Sequence, residues 1–244
     1  MPKIRLDSLI VERGLAESRE KAQALVMAGR VFSGERRLDK AGTRVTRDID
    51  LEVRGGLHPW VSRGGVKLAH GLEVLGIEPG GAIALDIGAS TGGFTDVLLA
   101  RGAKKVYAVD VGRGQLAWKI RNDPRVVVLE GVNARRLARA DLPEAVDLIV
   151  CDASFIGLRT VLPNALRLAA PGARLVALIK PQFEVGPERV GKGGIVREPA
   201  LHREVCETIR HWLEEEMGWH VIGITESPIK GAEGNKEFLI GAAR

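Results

Sequence analysis

Four residues far apart in the chain, Asp86, Asp110, Asp152 and Lys180, each stand directly after a short apolar run: Ala82–Leu85, Lys105–Val109, Val146–Cys151 and Arg174–Ile179. Runs of that length predict buried strands. In an open α/β sheet the carboxyl ends of the strands form the ligand crevice, so one fold would bring all four residues to one rim. The first run opens the stretch AIALDIGASTGGFT, in which Asp86, Gly88, Ala89, Ser90, Gly92, Gly93 and Phe94 form strand end, turn and helix start. Glycines there let a ligand approach the main chain, and amides at a helix N-terminus favour electron-rich groups. Asp110, about one βα unit later, is placed to accept hydrogen bonds from two ribose hydroxyls. A dinucleotide site would use GxGxxG, whose second glycine admits a pyrophosphate; GASTGG has Ala89 and Ser90 in the middle, which fits a nucleoside without phosphates better than NAD. The bland alternative is a tight βα turn with no ligand, its acids being surface charges.

Such a crevice requires a parallel sheet, and the chain alternates as one should. Val126–Leu129 is a further strand, and two last strands near His220–Thr225 and Glu237–Gly241 are expected to be antiparallel in part. Helices are predicted at Gln115–Arg121, Leu158–Leu168 and His202–Met217, and Val66, Ala69, Leu72 and Leu75 give the apolar face of another ahead of the glycine turn. The fold predicted over residues 62–244 is α/β and Rossmann-like, with a mostly parallel seven-stranded sheet. Before it, residues 1–54 read as a small α+β module: Leu6, Leu9, Ile10 and Val11 on one short helix, Ser18 capping a second that buries Ala22, Leu25 and Val26, then brief strands. Residues 55–61, GGLHPWV, read as a linker in which Trp60 is buried against one domain. Between Gln182 and Pro199, four glycines interleaved with Arg189, Lys192 and Arg197 predict a mobile basic loop.

The 244 residues carry a formal net charge of +5, which suits a polyanionic partner. No apolar run approaches the roughly 18 to 20 residues of a membrane span, and MPKIRLDSL lacks the apolar core of a signal peptide, so a soluble cytoplasmic protein is expected. Cys151 and Cys206 are too few for a disulfide framework, and no His/Cys spacing points to a metal.

The order RLDSLIVERGLAESREKAQALVMAGRVFSG resembles the small RNA-binding domain named after ribosomal protein S-four, with Phe32-Ser33-Gly34 where that family often has Val-Asn-Gly. The resemblance implies that the face carrying Arg5, Arg19, Lys21 and Arg30 docks on structured RNA. DIGASTGGFT, with Asp110 and Asp152, resembles the S-adenosyl-L-methionine loop of Rossmann-like methyltransferases, above all the FtsJ-like 2′-O-ribose group; this implies that Asn133, in EGVNAR, lies near the adenine or methionine end. For such a reaction the catalytic candidates are Lys67, Asp152, Lys180 and Glu237, in RGGVKL, CDASF, IKPQFE and NKEF. A ribose hydroxyl is a poor nucleophile, so it must be oriented in line and relieved of its proton, with Lys180 as the central residue.

Lys-Asp-Lys-Glu is also the catalytic tetrad of FtsJ-like enzymes. Together with SRGGVKL, GGIVR and GNKEFL, the chain resembles the TlyA or haemolysin A family over essentially its whole length. The resemblance implies 2′-O-methylation of cytidine in ribosomal RNA, within a ribosomal subunit or assembled rRNA, and the basic residues Arg63, Arg189, Lys192 and Arg197 then extend the RNA-binding surface. Two other classes stay open: a non-catalytic rRNA-binding or assembly factor, and a membrane-active haemolysin, for which the chain offers no apolar span.

Overall fold

A computed structural model describes residues 3–16, 18–34, 36–53, 58–231 and 234–244. The chain divides into two compact units, Met1–Leu57 and His58–Arg244. Of the predicted linker, 55–57 lie outside the described residues.

In the first unit a strand β1 (Lys3–Arg5) precedes helices α1 (Leu6–Glu12) and α2 (Arg19–Met27), followed by β2 (Val31–Ser33), β3 (Arg36–Arg37), β4 (Arg44–Thr46) and β5 (Glu52–Val53). The Ser18 hydroxyl accepts the Lys21 amide at 3.2 Å, which starts α2 as its cap. β1 was not legible in the sequence: Ile4, its one apolar residue, takes strand form because β4 pairs with it antiparallel, Ile4 opposite Val45. β2 lies between β3 and β5 in a separate three-stranded sheet. Leu6, Leu9, Ile10, Ala22, Leu25, Val26 and Val31 close the core beneath.

The second unit runs α3 (Gly64–Val74), β6 (Ile83–Ile87), α4 (Gly93–Ala100), β7 (Lys105–Asp110), α5 (Trp118–Arg121), β8 (Val126–Glu130), β9 (Val146–Cys151), α6 (Leu158–Val161), α7 (Pro163–Leu168), β10 (Ala169–Ile179), α8 (Pro199–His211), β11 (His220–Glu226) and β12 (Phe238–Ala243). Its seven strands lie in the order β11-β12-β10-β9-β6-β7-β8. The five strands from β10 to β8 are parallel, and β12 is antiparallel to both β10 and β11. The last pair is therefore antiparallel throughout. Strand alternation divides the core in two: Leu85, Ile87, Ile149, Cys151, Leu175 and Ala177 face one layer of helices, while Ala84, Val106, Ala108, Leu148, Val150 and Val176 face the other. The chain leaves β6 for β7 on one side and returns to β9 on the other, so the switch point lies at the end of β6, where the glycine turn is.

Three predicted helices differ in extent. Pro163, which lacks an amide hydrogen, divides Leu158–Leu168 into α6 and α7. α5 begins only at Trp118, because the Gly112 amide donates to the Asp110 carboxylate at 2.7 Å and holds the chain in a turn. α8 begins at Pro199 and passes into a π-helical turn at Trp212–Glu216. The basic loop expected to be mobile is tied down at both ends: Arg189 makes two hydrogen bonds of 2.6 Å to Glu204 on α8, and the Val196 amide donates to the Asn235 side chain at 2.9 Å. Among the described residues no helix is long and apolar enough to cross a membrane.

Candidate active site

The glycine turn is shaped as much by its protein neighbours as by any ligand. Gly88 has φ +79°, and a Cβ there would lie 3.0 Å from the Cα and N of Ala153. The end of β6 thus meets the end of β9 backbone to backbone, which sets Asp152 and Ser154 beside the turn. Gly92, at φ +92°, caps α4 against Leu116 and Ile120, and a Cβ on Gly93 would stand 2.9 Å from the Gly65 amide nitrogen. These two glycines let α4 pack on its own neighbours, a different reason from ligand approach. Trp60 is half-buried against the core and lies over Gly65, where a Cβ would come within 2.3 Å of its Cγ.

Two cavities of about 480 Å³ each open at this switch point and share Gly88, Ser90, Asp152, Ser154 and Phe155. The first has an apolar wall that includes Val111, Val132 and Ile156, and beyond the shared residues its polar members are Asp110, Gln115, Asn133 and Arg135. The Asp110 carboxylate accepts the Ser90 amide at 2.8 Å and the Gly112 amide at 2.7 Å, one on each oxygen. Each oxygen keeps a further lone pair. The Asn133 oxygen accepts the Arg135 amide at 3.1 Å, capping a short turn, so it is already engaged.

The second cavity holds Lys67, Asp152, Lys180 and Glu237, with Ala89, Gly93 and Phe94 in its wall. Lys67 comes from α3, Asp152 and Lys180 follow β9 and β10, and Glu237 enters β12. Their charges are paired. Lys67 Nζ donates to Glu237 Oε2 at 2.6 Å, and Lys180 Nζ lies 2.7 Å from Asp152 Oδ1 and 2.7 Å from the Ser154 hydroxyl. A third, longer contact of 3.3 Å runs from Lys180 Nζ to the Asp152 carbonyl. Both lysines and Glu237 are buried, and within these four residues two cations stand beside two anions. Glu237 is pressed against Gly231, where a Cβ would sit 2.5 Å from its Oε1.

Asp86 is a correction. Its side chain is fully buried and lines neither cavity, because β6 continues through it to Ile87 and turns it under α4. There it accepts the Thr95 hydroxyl at 2.6 Å, while Oδ1 has no hydrogen-bond partner. Burial pushes its carboxyl up to about 7. A carboxyl raised above its unfolded value of about 3.9 costs nothing below that pH, costs progressively more as pH rises to about 7, and levels off above. Asp86→Asn keeps the neutral shape at every pH. Its melting temperature relative to the unsubstituted protein is therefore expected to climb between pH 4 and 7 and then flatten; a difference independent of pH would show that Asp86 is not held protonated.

Sequence reasoning missed Phe155. It is 86% exposed at the mouth shared by both cavities, holds φ +64° without being glycine, and packs on Phe183 with centroids 5.3 Å apart. An aromatic after CDAS gives no warning of this; only its positive φ does. Asp7 and Gln23 were also missed. Asp7 is buried and accepts Arg5 at 2.9 Å, Arg19 at 3.1 Å and Gln23 at 2.9 Å, and the Arg5 hydrogen bond above all holds its carboxyl well below the usual range. The structure thus brings Arg5 and Arg19 together as a half-exposed pair around one anion. Lys21 is exposed on the first turn of α2, and Arg30 is half-buried between α2 and β2. Arg63 lines the second cavity and donates to the Lys230 carbonyl at 2.7 Å. Arg189 is engaged with Glu204, whereas Lys192 and Arg197 are exposed and make no ion pair among the described residues.

Residues 60–244 match the FtsJ-like methyltransferase family and residues 4–48 match the S4 domain. The chain is 48% identical over 238 residues to the 16S/23S rRNA (cytidine-2′-O)-methyltransferase TlyA of Mycobacterium tuberculosis, covering 97% of this chain and 88% of that protein. It is 40% identical to Hemolysin A of Brachyspira hyodysenteriae, over 97% of this chain and 98% of the relative. A solved Streptococcus thermophilus chain described as a candidate hemolysin is similar at a TM-score of 0.78 and 44% identity, over 100% of this chain and 89% of the other.

Proposed function

Because this chain belongs to the FtsJ-like methyltransferase family and carries an S4 domain ahead of the catalytic one, we infer that it transfers a methyl group from S-adenosyl-L-methionine to the ribose 2′-hydroxyl of a cytidine in ribosomal RNA. The observation that carries this reading is the pair of cavities joined at Gly88, Ser90, Asp152, Ser154 and Phe155, one holding an amide-anchored carboxylate and the other two lysine–carboxylate pairs. We read residues 1–54 as the RNA-holding domain, 55–61 as linker and 62–244 as the catalytic domain, working in the cytoplasm on rRNA within ribosomal subunits.

The first cavity fits the cofactor's nucleoside. Asp110 has spare lone pairs for two ribose hydroxyls while Ser90 and Gly112 keep it from rotating, and the apolar lining suits a purine. When bound, the cofactor supplies an already activated methyl group, so this chain's residues have only to orient the acceptor oxygen and remove its proton. Lys180 is suited to that work. The Ser154 hydroxyl, on an exposed residue, and the long Asp152 carbonyl contact are the partners that an incoming hydroxyl can displace, whereas the 2.7 Å pair with Asp152 Oδ1 holds Nζ in place. To act as a base the Lys180 ammonium first gives a proton to solvent; the neutral amine then takes the ribose proton, and the ammonium that re-forms is stabilised by Asp152. Lys67 and Glu237 form the other wall of the same pocket and hold its far side.

Incubation with radiolabelled S-adenosyl-L-methionine and purified ribosomal subunits is expected to place label on ribose, in dinucleotides that resist alkaline cleavage. Salt-sensitive rRNA binding with no transferred label would instead make the protein a non-catalytic binding factor.

A further inference from the structure

Two sequence motifs, GGIVR at 193–197 and GNKEFL at 234–239, lie about forty residues apart and neither lines the cavity that holds Asp110. Asn235 joins them. Its side chain is 1% exposed, its Oδ1 accepts the Val196 amide at 2.9 Å, and its Nδ2 donates to the Gly194 carbonyl at 2.8 Å. One acceptor and one donor on the same planar group match one N–H and one C=O of the turn, which neither a carboxylate nor an aliphatic side chain can do. The turn is held tight from within, since the Gly194 amide donates to the Gly191 carbonyl at 3.1 Å and Gly191 pairs with Ile195 in an isolated bridge. It is held from behind by the His202 ring at 3.0 Å from the Val196 carbonyl. Asn235 is itself fixed, its carbonyl accepting the Gly231 amide at 2.9 Å, and Glu237 stands two residues beyond it.

The turn carries Lys192 and Arg197, both exposed and without an ion pair among the described residues, whereas the neighbouring Arg189 is neutralised by Glu204. Two free cations on an anchored turn suit a phosphate backbone, and the anchor leads directly to the tetrad. We propose that Asn235 is a positioning residue, fixing the Gly191–Arg197 turn to the segment bearing Glu237 so that RNA phosphates held by Lys192 and Arg197 share one frame with the Lys67–Glu237 pair. The proposal rests on RNA being the substrate, as inferred above.

The test is the salt dependence of rRNA binding by the full chain, measured by filter binding for the unsubstituted protein, Asn235→Ala, the double variant Lys192→Ala/Arg197→Ala, and all three changes together. Each lost phosphate contact lowers the slope of log K against log salt by about 1. Asn235 carries no charge, so Asn235→Ala can lower the slope only by misplacing the cations. It is expected to lower it by about 1 to 2, as the double variant does, with no further loss in the triple variant. Asn235→Ala is also expected to lower kcat about tenfold, through Glu237, while the double variant acts mainly by raising KM, with a smaller loss in kcat than Asn235→Ala shows. An unchanged slope in Asn235→Ala, or losses that add in the triple variant, would overturn the proposal. Should Asn235→Ala fail to fold, Asn235→Ser is read in the same cycle. Failure of the unsubstituted protein to methylate would strike the functional reading instead, and the binding slopes would still decide the role of Asn235.

Discussion

Lys180→Ala is expected to lower kcat by about 10³-fold while the dissociation constant for S-adenosyl-L-methionine changes little, because the lysine is the group assigned to the acceptor proton and lies outside the nucleoside cavity. Its removal takes the 2.7 Å partner from Asp152 and the donor from Ser154, and leaves the pocket one positive charge short. The alanine variant therefore combines two losses, of a proton acceptor and of a cation. Lys180→Arg separates them. A guanidinium can still pair with Asp152 and steer an oxygen, but it stays protonated at any working pH and cannot accept the ribose proton. Both variants are expected to fall to a similar residual rate in single-turnover methylation of ribosomal subunits. An arginine variant within about tenfold of full activity would make Lys180 an electrostatic guide, and an alanine variant at full activity would end the assignment altogether.

The features legible in the sequence are those set by local pattern. Val106 to Val109 and Leu148 to Cys151 read as buried strands because β-branched and apolar residues run continuously there, and the residue after such a run is bound to emerge at the crevice; that argument found Asp110, Asp152 and Lys180. It failed at Asp86 for a reason internal to the strand: β6 runs two residues past Leu85, to Ile87, so Asp86 lies inside it and its side chain alternates into the core, whereas Asp110 is the last residue of β7. The other differences are long-range. The Gly93 contact with Gly65 and the Asn235 bonds to Gly194 and Val196 join segments that no periodicity links, so the sequence alone presents the glycines of the turn as room for a ligand and the basic loop as mobile. Phe155 was hidden by its type, since a lone aromatic in a short apolar run is ordinarily core.

Gly88→Ala is expected to lower activity more than Gly92→Ala, and the geometry shows why the loss should reach the chemistry as well as the fold. At φ +79° an alanine is strained by about 1 to 2 kcal/mol, and its Cβ would stand 3.0 Å from the Ala153 Cα and N and 3.1 Å from the Asp152 carbonyl carbon. Those are backbone atoms and have no rotamer by which to yield. The relief available is a shift of residues 152–154, which would carry Asp152 and Ser154 away from Lys180. Displacements approaching 1 Å in a reacting pair cost on the order of 10²-fold. Gly92→Ala supplies the contrast. Its φ is +92°, so the backbone strain is comparable, but its Cβ would meet Leu116 Cδ1 at 3.0 Å and Ile120 Cγ2 at 3.1 Å, which are side-chain ends able to move. Matched pairs of thermal melts and methylation rates are expected to show both variants losing several degrees, with Gly88→Ala losing about 10²-fold in kcat and Gly92→Ala less than about tenfold. Equal activity losses would mean that strain in the turn, and not the contact with the Asp152–Ser154 backbone, governs the site.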